Sequence, residues 1–325
     1  MSPSLVSILV PSYNQAAFIG RCLESVLAQT FGDWELFVAD DGSSDGTPDL
    51  VRRYTDRRIH LLELEHRGIW YLGETYAAAL ERSTGELIAI LDGDDYWPAD
   101  KLARQVPTFE SPEVVLSHGA CVTVDREGRT LQLRRPPRSL CGTRPGSRMV
   151  RGLLSSDRSI PWSVTVMVRR RALLAAGGFL QPAYEPLVDF PTWLNVAMLG
   201  ACVGLDEVLG FYVVHSQSVC RTPETVIVEG HARYRREFIE RRSAELVGDE
   251  AGKTKLLEVV EGSRCYVLGL LASRQGERSS SVSLLARAIA CGDLETKAKG
   301  LLRLAAELWA VAYHRVAAWL GRGAE

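Results

Sequence analysis

The chain has 325 residues, 46% of them hydrophobic and 24% charged, and a formal net charge of -2 at pH 7. This composition predicts a globular protein with a full hydrophobic core, built as one large domain plus an appendage or as two modest domains. A protein whose whole surface tracks nucleic acid needs a basic field, so the near-neutral charge excludes that class and no nucleic-acid partner is expected.

The cysteine pattern and the N-terminus bear on location. The seven cysteines are scattered and none forms a C-x-x-C pair, which favours thiols in a reducing compartment over a disulfide framework or a zinc site. The N-terminal residues show no secretory signal, and no apolar run reaches the roughly 18 residues needed to span a bilayer. We therefore expect a cytoplasmic protein.

The first third of the chain alternates short apolar runs with segments of helical periodicity. The pattern predicts strands at residues 6–10, 34–39, 59–64 and 86–91, and helices at 18–29, 48–54 and 75–82. Such alternation is typical of an α/β fold, with a mostly parallel sheet and helices on both faces. In these sheets ligands bind beyond the carboxyl ends of the strands, so the polar clusters that follow strands are the candidate sites.

The rest of the chain separates into two kinds of segment. Strands are predicted at residues 114–124 and 165–168, with a long mobile loop at 134–148 between them. Beyond about residue 225 the composition favours helices, predicted at 226–246, 253–273, 283–291 and 295–320, with a linker at 273–281. We expect a first domain at residues 1–224 and a helical region at 225–325.

An acidic segment, DDGSSDGT at residues 40–47, follows the second predicted strand. One interpretation is a turn that caps the next helix, since Asp and Ser side chains bond to nearby backbone groups. A calcium loop is excluded at its twelfth position, where Arg52 replaces the required Glu. The third alternative is a ligand site at Asp40 or Asp41.

A second acidic segment, Asp92-Gly93-Asp94-Asp95, follows the fourth predicted strand. Three carboxylates so close together repel one another unless a cation lies among them. Oxygen ligands of this kind suit magnesium or manganese, which share their coordination with substrate phosphates. The structural alternative is a simple helix cap, although a cap needs only one Asp.

Asp189 is isolated in an apolar stretch, PLVDFPTWLNVA. It could be the N-cap of the helix that follows, or a general base whose pKa is raised by neighbours such as Val188 and Phe190. The sequence leaves both alternatives open.

Taken together, these segments resemble the family 2 glycosyltransferases of the GT-A fold. The matching segments are VSILVPSYN at 6–14, ELFVADDGSSDGT at 35–47, GELIAILDGDDYW at 85–97, GGF at 177–179, LVDFPTW at 187–193 and YVVHSQS at 212–218. The resemblance implies transfer of a sugar, with inversion, from a UDP-, dTDP- or GDP-sugar to a hydroxyl of a glycan, glycolipid or small-molecule acceptor. It also implies Mn²⁺ or Mg²⁺ as cofactor.

The resemblance carries roles for individual residues. It implies Asp189 as catalytic base. It implies a metal site at Asp94 and Asp92 with His215 nearby, Asp94 being the direct ligand and Asp92 the ribose or water-mediated contact. The implied donor-binding residues are Pro11, Tyr13, Asn14, Asp40, Asp41, Asp92 and Gly93, and the implied acceptor-side residues are Asp95, Trp97 and Trp193. Whether Asp40 or Asp41 holds the base is left open, and core packing is the alternative for both tryptophans.

The chain also departs from the family pattern. Val188 replaces a common acidic residue, Val213-Val214 replaces a common Arg, and the segment GETYAAAL lacks a common Arg-Asn pair. Arg67 is the candidate for the missing diphosphate contact, with Arg221 as the alternative. These gaps keep open a catalytically silent module that binds sugar nucleotides. A nucleotidyltransferase is the remaining rival, although PSYNQAAF has neither the Gly nor the Lys of a triphosphate loop.

The last predicted helix, at 295–320, has a broad apolar face and a narrow polar face that carries Arg303, Glu307 and His314. Such a helix packs on its own protein, pairs with a second subunit, or lies in a membrane interface. Peripheral membrane contact and dimerisation are both retained as predictions.

Overall fold

The computed structural model describes residues 5–155, 161–215 and 223–321, with side chains in the last helix described as far as residue 307. The chain divides into two compact units. The first comprises Met1–Leu153 and Arg158–Thr222, and the second comprises Leu154–Asp157 and Pro223–Glu325.

The first unit is built on a mixed nine-stranded sheet whose first four strands are parallel. These strands are β1 (Val6–Ser12), β2 (Trp34–Asp40), β3 (Ile59–Glu63) and β4 (Leu87–Ile90), in the spatial order β3-β2-β1-β4. The helices between them are α1 (Ile19–Leu27), α2 (Thr47–Arg52) and α3 (Leu72–Arg82). Because the four strands run in one direction, their carboxyl ends lie at one edge, where Ser12 pairs with Asp40 and Asp40 with Glu63.

The other five strands extend the sheet beyond β4. They are β5 (Val114–Val124), β6 (Thr130–Arg134), β7 (Gly142–Pro145), β8 (Met167–Arg169) and β9 (Ala201–Val213). Strand β8 runs antiparallel between β4 and β5, while β9 pairs in parallel with β5. The remaining helices of this part are α4 (Lys101–Gln105), α5 (Gly146–Ser155), α6 (Arg170–Ala175) and α7 (Asp189–Ala197). The predicted α/β class, with a helical C-terminal region, is confirmed.

The main core packs α1 against the parallel half of the sheet. Ile8 of β1, Leu23 of α1 and Leu36 of β2 are completely buried. Strand β1 is buried along its whole length, which explains why it reads as a continuous apolar run rather than an alternating one. Burial of each large aliphatic side chain contributes about 1.5–3 kcal/mol to stability.

Two predictions about irregular segments are wrong. The stretch 134–148 is not one long loop, because residues 142–145 form β7 and residues 146–148 begin α5. Its backbone pairs with β9, from Gly142 opposite Gly204 to Pro145 opposite Ala201, so a long-range ladder overrides a turn-like composition. The linker at 273–281 is shorter than expected, because Gly276 has a φ of 80° and allows a tight turn between two helices.

The second unit contains four long helices. They are α8 (Glu224–Leu246), α9 (Glu250–Arg274), α10 (Arg278–Cys291) and α11 (Leu294–Gly321), and each packs against the next. A Cβ atom on Gly262 of α9 would lie 2.2 Å from the Cα atom of Gly292, so the backbone after α10 approaches α9 too closely for any side chain there.

Helix α11 buries polar groups and exposes apolar ones. The Arg303 guanidinium donates to Ser273 Oγ of α9, and this hydroxyl donates to the carboxylate of Glu307. On the outer side, Leu294, Leu301 and Leu302 are 88%, 55% and 76% exposed. No helix in the described parts of the chain has the length and apolar character to cross a membrane.

Candidate active site

The acidic segment after β4 is held against the end of β1. The Gly93 N–H donates to the carbonyl of Pro11 at 3.2 Å, and the Asp95 N–H donates to the carbonyl of Asp92 at 2.9 Å. A Cβ atom on Gly93 would lie 2.2 Å from Gln15 Oε1, so a larger residue here would displace the end of the Gln15 side chain. This turn places the Asp92 and Asp94 carboxylates at the carboxyl edge of the sheet.

Asp92 lies in an electronegative, desolvated environment. Its Oδ1 accepts a 2.8 Å hydrogen bond from the hydroxyl of Tyr76. Burial, followed by the charges of Asp94 and Asp189, raises the pKa of Asp92 to about 7. The site therefore places Asp189 in the same electrostatic environment as Asp92 and Asp94, which precede it by almost 100 residues in the sequence.

Asp94 faces His215, two residues beyond the end of β9. His215 Nε2 lies 3.0 Å from Asp94 Oδ2, and these side chains are 6% and 12% exposed. The imidazole also stacks on Phe18, with ring centroids 4.1 Å apart. The expected proximity of His215 to Asp94 is therefore present in the structure.

The acidic edge and His215 offer oxygen and nitrogen donors for a metal. No group of three or more His, Cys, Asp or Glu side chains in the described ranges is already arranged around a common metal position. Carboxylate oxygen and imidazole nitrogen nevertheless suit Mn²⁺. Asp94 and His215, which lie 3.0 Å apart, supply one donor of each kind, and the buried carboxylate of Asp92 lies in the same electrostatic environment. A divalent cation held here would take its remaining ligands from substrate and water.

The turn after β2 separates the roles of Asp40 and Asp41. Both carboxylate oxygens of Asp40 accept hydrogen bonds from Ser43, one from its N–H at 2.8 Å and one from its hydroxyl at 2.6 Å. Burial raises the pKa of Asp40. Asp40 is thus a turn-forming residue, as the structural interpretation expected, but the N-cap of α2 is Gly46, which has no side chain to cap the helix.

Asp41 instead fastens the loop that follows β3. Its Oδ1 accepts from the Arg67 N–H and its Oδ2 from the Gly68 N–H, each at 2.9 Å. His66 Nδ1 also lies 2.9 Å from the Asp41 carboxylate. Gly68 has a φ of 79°, which allows the loop to present two successive N–H groups to one carboxylate.

An aromatic pair lies beside this turn. The rings of Tyr13 and His66 stack with centroids 4.1 Å apart and an interplanar angle of 14°. Asn14, with a φ of 50°, donates its N–H to Ser43 Oγ and accepts from the Ser44 N–H, each at 2.8 Å. The loops after β1, β2 and β3 are therefore tied together around an exposed Tyr13 ring.

Arg67 is only partly where the sequence places it. Its backbone belongs to the Asp41 turn, but its guanidinium pairs with Glu74 and lies 3.9 Å from the ring centroid of Tyr71. In this conformation the Arg67 charge is directed to Glu74. The alternative candidate, Arg221, lies outside the described residues.

The three acceptor-side residues are placed differently from the expectation. Asp95, Trp97 and Trp193 are each 3% exposed or less. Asp95 Oδ1 accepts from the Val213 N–H at 2.8 Å, and Trp97 Nε1 donates to the Val164 carbonyl at 2.7 Å. Burial denies these side chains direct contact with a sugar, so the core-packing alternative describes them better and we assign them no acceptor contact.

Asp189 is the first residue of α7, and Val188 precedes it at the cap position with no side-chain cap hydrogen bond. The structural alternative, an Asp189 N-cap, is therefore not what the helix shows. Val188 and Phe190 are buried, whereas Asp189 is partly exposed. The Asp189 charge contributes to the raised pKa of Asp92, so the two carboxylates share one electrostatic environment.

Sequence reasoning missed Tyr76 and Phe18. Tyr76 lies on the buried face of α3, so its periodicity predicts packing and gives no sign of the bond to Asp92. Phe18 immediately precedes α1, and its contact with His215 joins two parts of the chain that lie almost 200 residues apart in the sequence.

Comparison with known proteins agrees with this geometry. A family model described as "Glycosyl transferase family 2" matches residues 7–175. The putative teichuronic acid biosynthesis glycosyltransferase TuaG of Bacillus subtilis is 31% identical over 221 residues, which cover 66% of this chain and 81% of TuaG. The UDP-Glc:alpha-D-GlcNAc-diphosphoundecaprenol beta-1,3-glucosyltransferase WfgD of Escherichia coli is 41% identical over 120 residues, covering 37% of this chain and 46% of WfgD.

Solved structures share the fold. The S. aureus TarS fragment 1-349 in complex with UDP-GlcNAc has a TM-score of 0.58 at 20% identity, covering 90% of this chain and 83% of that one. The mannosyltransferase PcManGT from Pyrobaculum calidifontis, in complex with GDP-Man and Mn²⁺, has a TM-score of 0.56 at 24% identity, covering 93% and 79%.

The sheet has the GT-A fold that these solved structures share. The family model matches more than half of the chain, and TuaG is matched over most of its length. The chain belongs to glycosyl transferase family 2.

Proposed function

We propose that the protein is a metal-dependent, inverting glycosyltransferase that moves a sugar from a nucleoside-diphosphate sugar to an acceptor hydroxyl. The observation that carries this proposal is the convergence of Asp92, Asp94 and Asp189: burial, and after it the charges of Asp94 and Asp189, raises the pKa of Asp92 to about 7. In this proposal the first unit, at about residues 1–224, binds the donor and catalyses transfer, and residues 225–325 form an accessory helical region.

The donor site is proposed at the loops after β1, β2 and β3. TarS and PcManGT have been solved with UDP-GlcNAc and GDP-Man, which supports a nucleotide-sugar donor. The exposed Tyr13 ring, held in place by His66, offers a face for base stacking. Asp41 orders the adjacent loop and is the candidate for contact with the base. The candidate bases remain those of UDP-, dTDP- and GDP-sugars.

A divalent cation, Mn²⁺ or Mg²⁺, is proposed at Asp94, Asp92 and His215. When bound, such a cation offsets the negative charge that develops on the leaving nucleoside diphosphate. Tyr76 orients the Asp92 carboxylate, and Phe18 holds the plane of the His215 imidazole. Asp94 Oδ2 and His215 Nε2 already lie 3.0 Å apart, so these two side chains need little rearrangement to bind one cation.

Asp189 is proposed as the general base. A sugar hydroxyl is a weak nucleophile, so a carboxylate must accept its proton during attack on the anomeric carbon. Partial exposure lets Asp189 reach an acceptor, while buried Val188 and Phe190 restrict its solvation. One base and direct displacement lead to inversion, without a covalent sugar intermediate.

A thermal-shift screen of UDP-, GDP- and dTDP-sugars with and without Mn²⁺ tests the proposal. A true donor raises the melting temperature more with the metal than without it, because it binds the native state. Release of nucleoside diphosphate in the presence of acceptor then tests transfer. Metal-dependent binding without turnover on any donor would instead establish the silent binding module.

We also propose peripheral contact of α11 with an anionic membrane surface. WfgD is named for an acceptor attached to diphosphoundecaprenol, and α11 exposes Leu301 and Leu302 one turn after the partly exposed Lys297. Flotation with phosphatidylglycerol vesicles should be weakened in Leu301→Ser/Leu302→Ser but not in Leu174→Ser/Leu199→Ser. Equal flotation of both variants contradicts membrane contact. A concentration-dependent dimer lost only in the α11 variant shows that a second copy covers this face.

A further inference from the structure

We propose that Arg134, Trp162 and Tyr212 form an acceptor subsite for a sugar ring that carries an anionic group. The proposal rests on the glycosyltransferase activity proposed above and gives that activity a class of acceptor. We refer to these three residues as the Arg134 platform.

The Arg134 platform combines one cation with two aromatic rings. The guanidinium carbon of Arg134, at the end of β6, lies 4.7 Å from the ring centroid of Trp162. Trp162 meets the ring of Tyr212 edge-on, with centroids 5.0 Å apart and an angle of 61°. Both rings are half-buried and pack against the core, which holds them in place. The negative face of an aromatic ring suits the C–H groups on one side of a pyranose.

The charge of Arg134 distinguishes it from its neighbours. Arg135 is paired with Asp206 at 2.6 Å, and Arg129 is paired with Asp125 at 2.7 Å. Within the described ranges, no carboxylate lies within ion-pair distance of Arg134. A guanidinium that stacks on a ring keeps the N–H groups at its edge available, and their fork geometry matches a phosphate or a carboxylate.

The Arg134 platform is continuous with the carboxylate centre along β9. Tyr212 pairs with Thr123 near the end of β5, and the next residue, Val213, donates its N–H to Asp95. Two residues further on, His215 contacts Asp94. A single short backbone segment therefore connects the platform to the proposed metal site.

The strand order favours an acceptor over a donor at this position. Tyr13 and Asp41, the proposed base-binding residues, follow β1 and β2, which lie on one side of β4 in the sheet. Strand β9 lies on the other side, beyond β8 and β5. Because Asp92 and Asp94 follow β4, the reacting centre lies between the donor loops and the Arg134 platform.

Calorimetric titration of the full-length protein with four probes tests the inference. The probes are N-acetylglucosamine 1-phosphate, glucuronic acid, N-acetylglucosamine and inorganic phosphate, each with and without UDP and Mn²⁺. We expect the wild type to bind at least one anionic sugar about tenfold or more tightly than the neutral sugar, the effect of one charge-assisted contact. The first two probes distinguish a phosphate from a carboxylate as the anionic group.

The variants separate the platform from a general basic field. Arg134→Gln should reduce the preference for the anionic sugar to about twofold or less, while the adjacent Arg135→Gln keeps it. Trp162→Leu should weaken both sugars and leave inorganic phosphate unchanged. Arg134 is exposed, so its variant decides the question even where Trp162→Leu fails to fold.

Two results overturn the inference: equal binding of neutral and anionic sugars to the wild type, and equal losses in Arg134→Gln and Arg135→Gln. Titration with UDP, GDP and dTDP, each alone, separates this failure from failure of the proposed function. Normal binding of one of these nucleotides with no platform effect refutes only the subsite, whereas absent binding of all three with an intact platform effect refutes the donor assignment.

Discussion

The hydroxyl of Tyr76 donates a 2.8 Å hydrogen bond to Oδ1 of Asp92, and this bond fixes the orientation of the Asp92 carboxylate. Tyr76 is buried and its ring stacks on Phe179 at 4.5 Å, so the hydroxyl has little freedom to turn away. Burial, and after it the charge of Asp92, raises the pKa of Tyr76, which keeps the phenol protonated and donating.

The first prediction concerns this bond. Tyr76→Phe keeps the buried ring and removes the donor, so the free energy of unfolding should fall by about 1–2 kcal/mol. Affinity for Mn²⁺ in the presence of UDP should fall about tenfold or more, because an outer hydrogen bond to a metal ligand is lost. Denaturant titration and calorimetry measure the two effects. The exposed Tyr71→Phe is the control, and an unchanged Mn²⁺ affinity in Tyr76→Phe contradicts the positioning role.

The second prediction concerns Asp94. Asp94→Asn keeps the shape of the side chain but removes its charge, so the Mn²⁺-dependent part of the donor-induced rise in melting temperature should disappear. Asp100→Asn, on an exposed carboxylate next to α4, should behave as the wild type. Full retention of the metal effect in Asp94→Asn would show that Asp94 is not a ligand.

The third prediction concerns Asp189. Asp189→Asn cannot accept the acceptor proton, so kcat should fall by about 10²–10⁴-fold while the donor dissociation constant changes about twofold or less. Steady-state kinetics measure kcat, and calorimetry of donor binding measures the donor dissociation constant. Asp206→Asn is a charge-matched surface control. A variant that retains more than about half of wild-type kcat excludes Asp189 as the base.

The fourth prediction concerns the Tyr13 ring. Tyr13→Ala removes the face that His66 supports, so donor affinity should fall by about 1–3 kcal/mol, the usual contribution of one base stacked on an aromatic ring. Tyr13→Phe retains the ring and should bind within about twofold of the wild type. If both variants bind the donor normally, the base does not stack here.

The fifth prediction concerns pH and a buried histidine outside the site. Burial lowers the pKa of His118, in the middle of β5, from 6.5 to about 4. Between pH 6.5 and about pH 4 the His118 side chain is therefore protonated in the unfolded chain but neutral in the native state. The free energy of unfolding falls as the pH is lowered through this range. From pH 7 to pH 5 the loss from this group is about 2 kcal/mol.

Denaturant titrations at the two pH values check this loss. His118→Leu should reduce the pH dependence of the unfolding free energy by about that amount. The exposed His60→Gln serves as the control and should leave the dependence unchanged. An unchanged slope in His118→Leu shows that other groups cause the acid sensitivity.

Much of the fold was accessible from local pattern. The apolar runs that became β1, β2 and β4 are covered on both faces, and a buried parallel strand must be apolar along its length, so its position can be predicted without knowledge of its partners. The acidic segments at Asp41 and Asp92 follow those strands, and parallel strands bring their carboxyl ends to one edge. Family membership, predicted from the order of the motifs, is confirmed by the family model.

The remaining features depend on contacts between distant parts of the chain. Composition alone suggested a loop at 134–148, but β7 forms because its backbone groups find partners on β9. Trp97 and Trp193 have the chemistry of sugar-stacking residues, yet the packing around them buries both. The role division between Asp40 and Asp41 appears only when their hydrogen-bond partners are known.

The sequence by itself determined the class of fold, the family and the strand ends at which charged side chains collect, because these follow from local periodicity and chain direction. Only the tertiary structure decided that Asp189 shares an electrostatic environment with Asp92, that the Tyr76 hydroxyl donates to Asp92, and that Arg134 lies over Trp162. Burial and electrostatic coupling depend on distances in space, and residues far apart in sequence acquire those distances only when the sheet assembles.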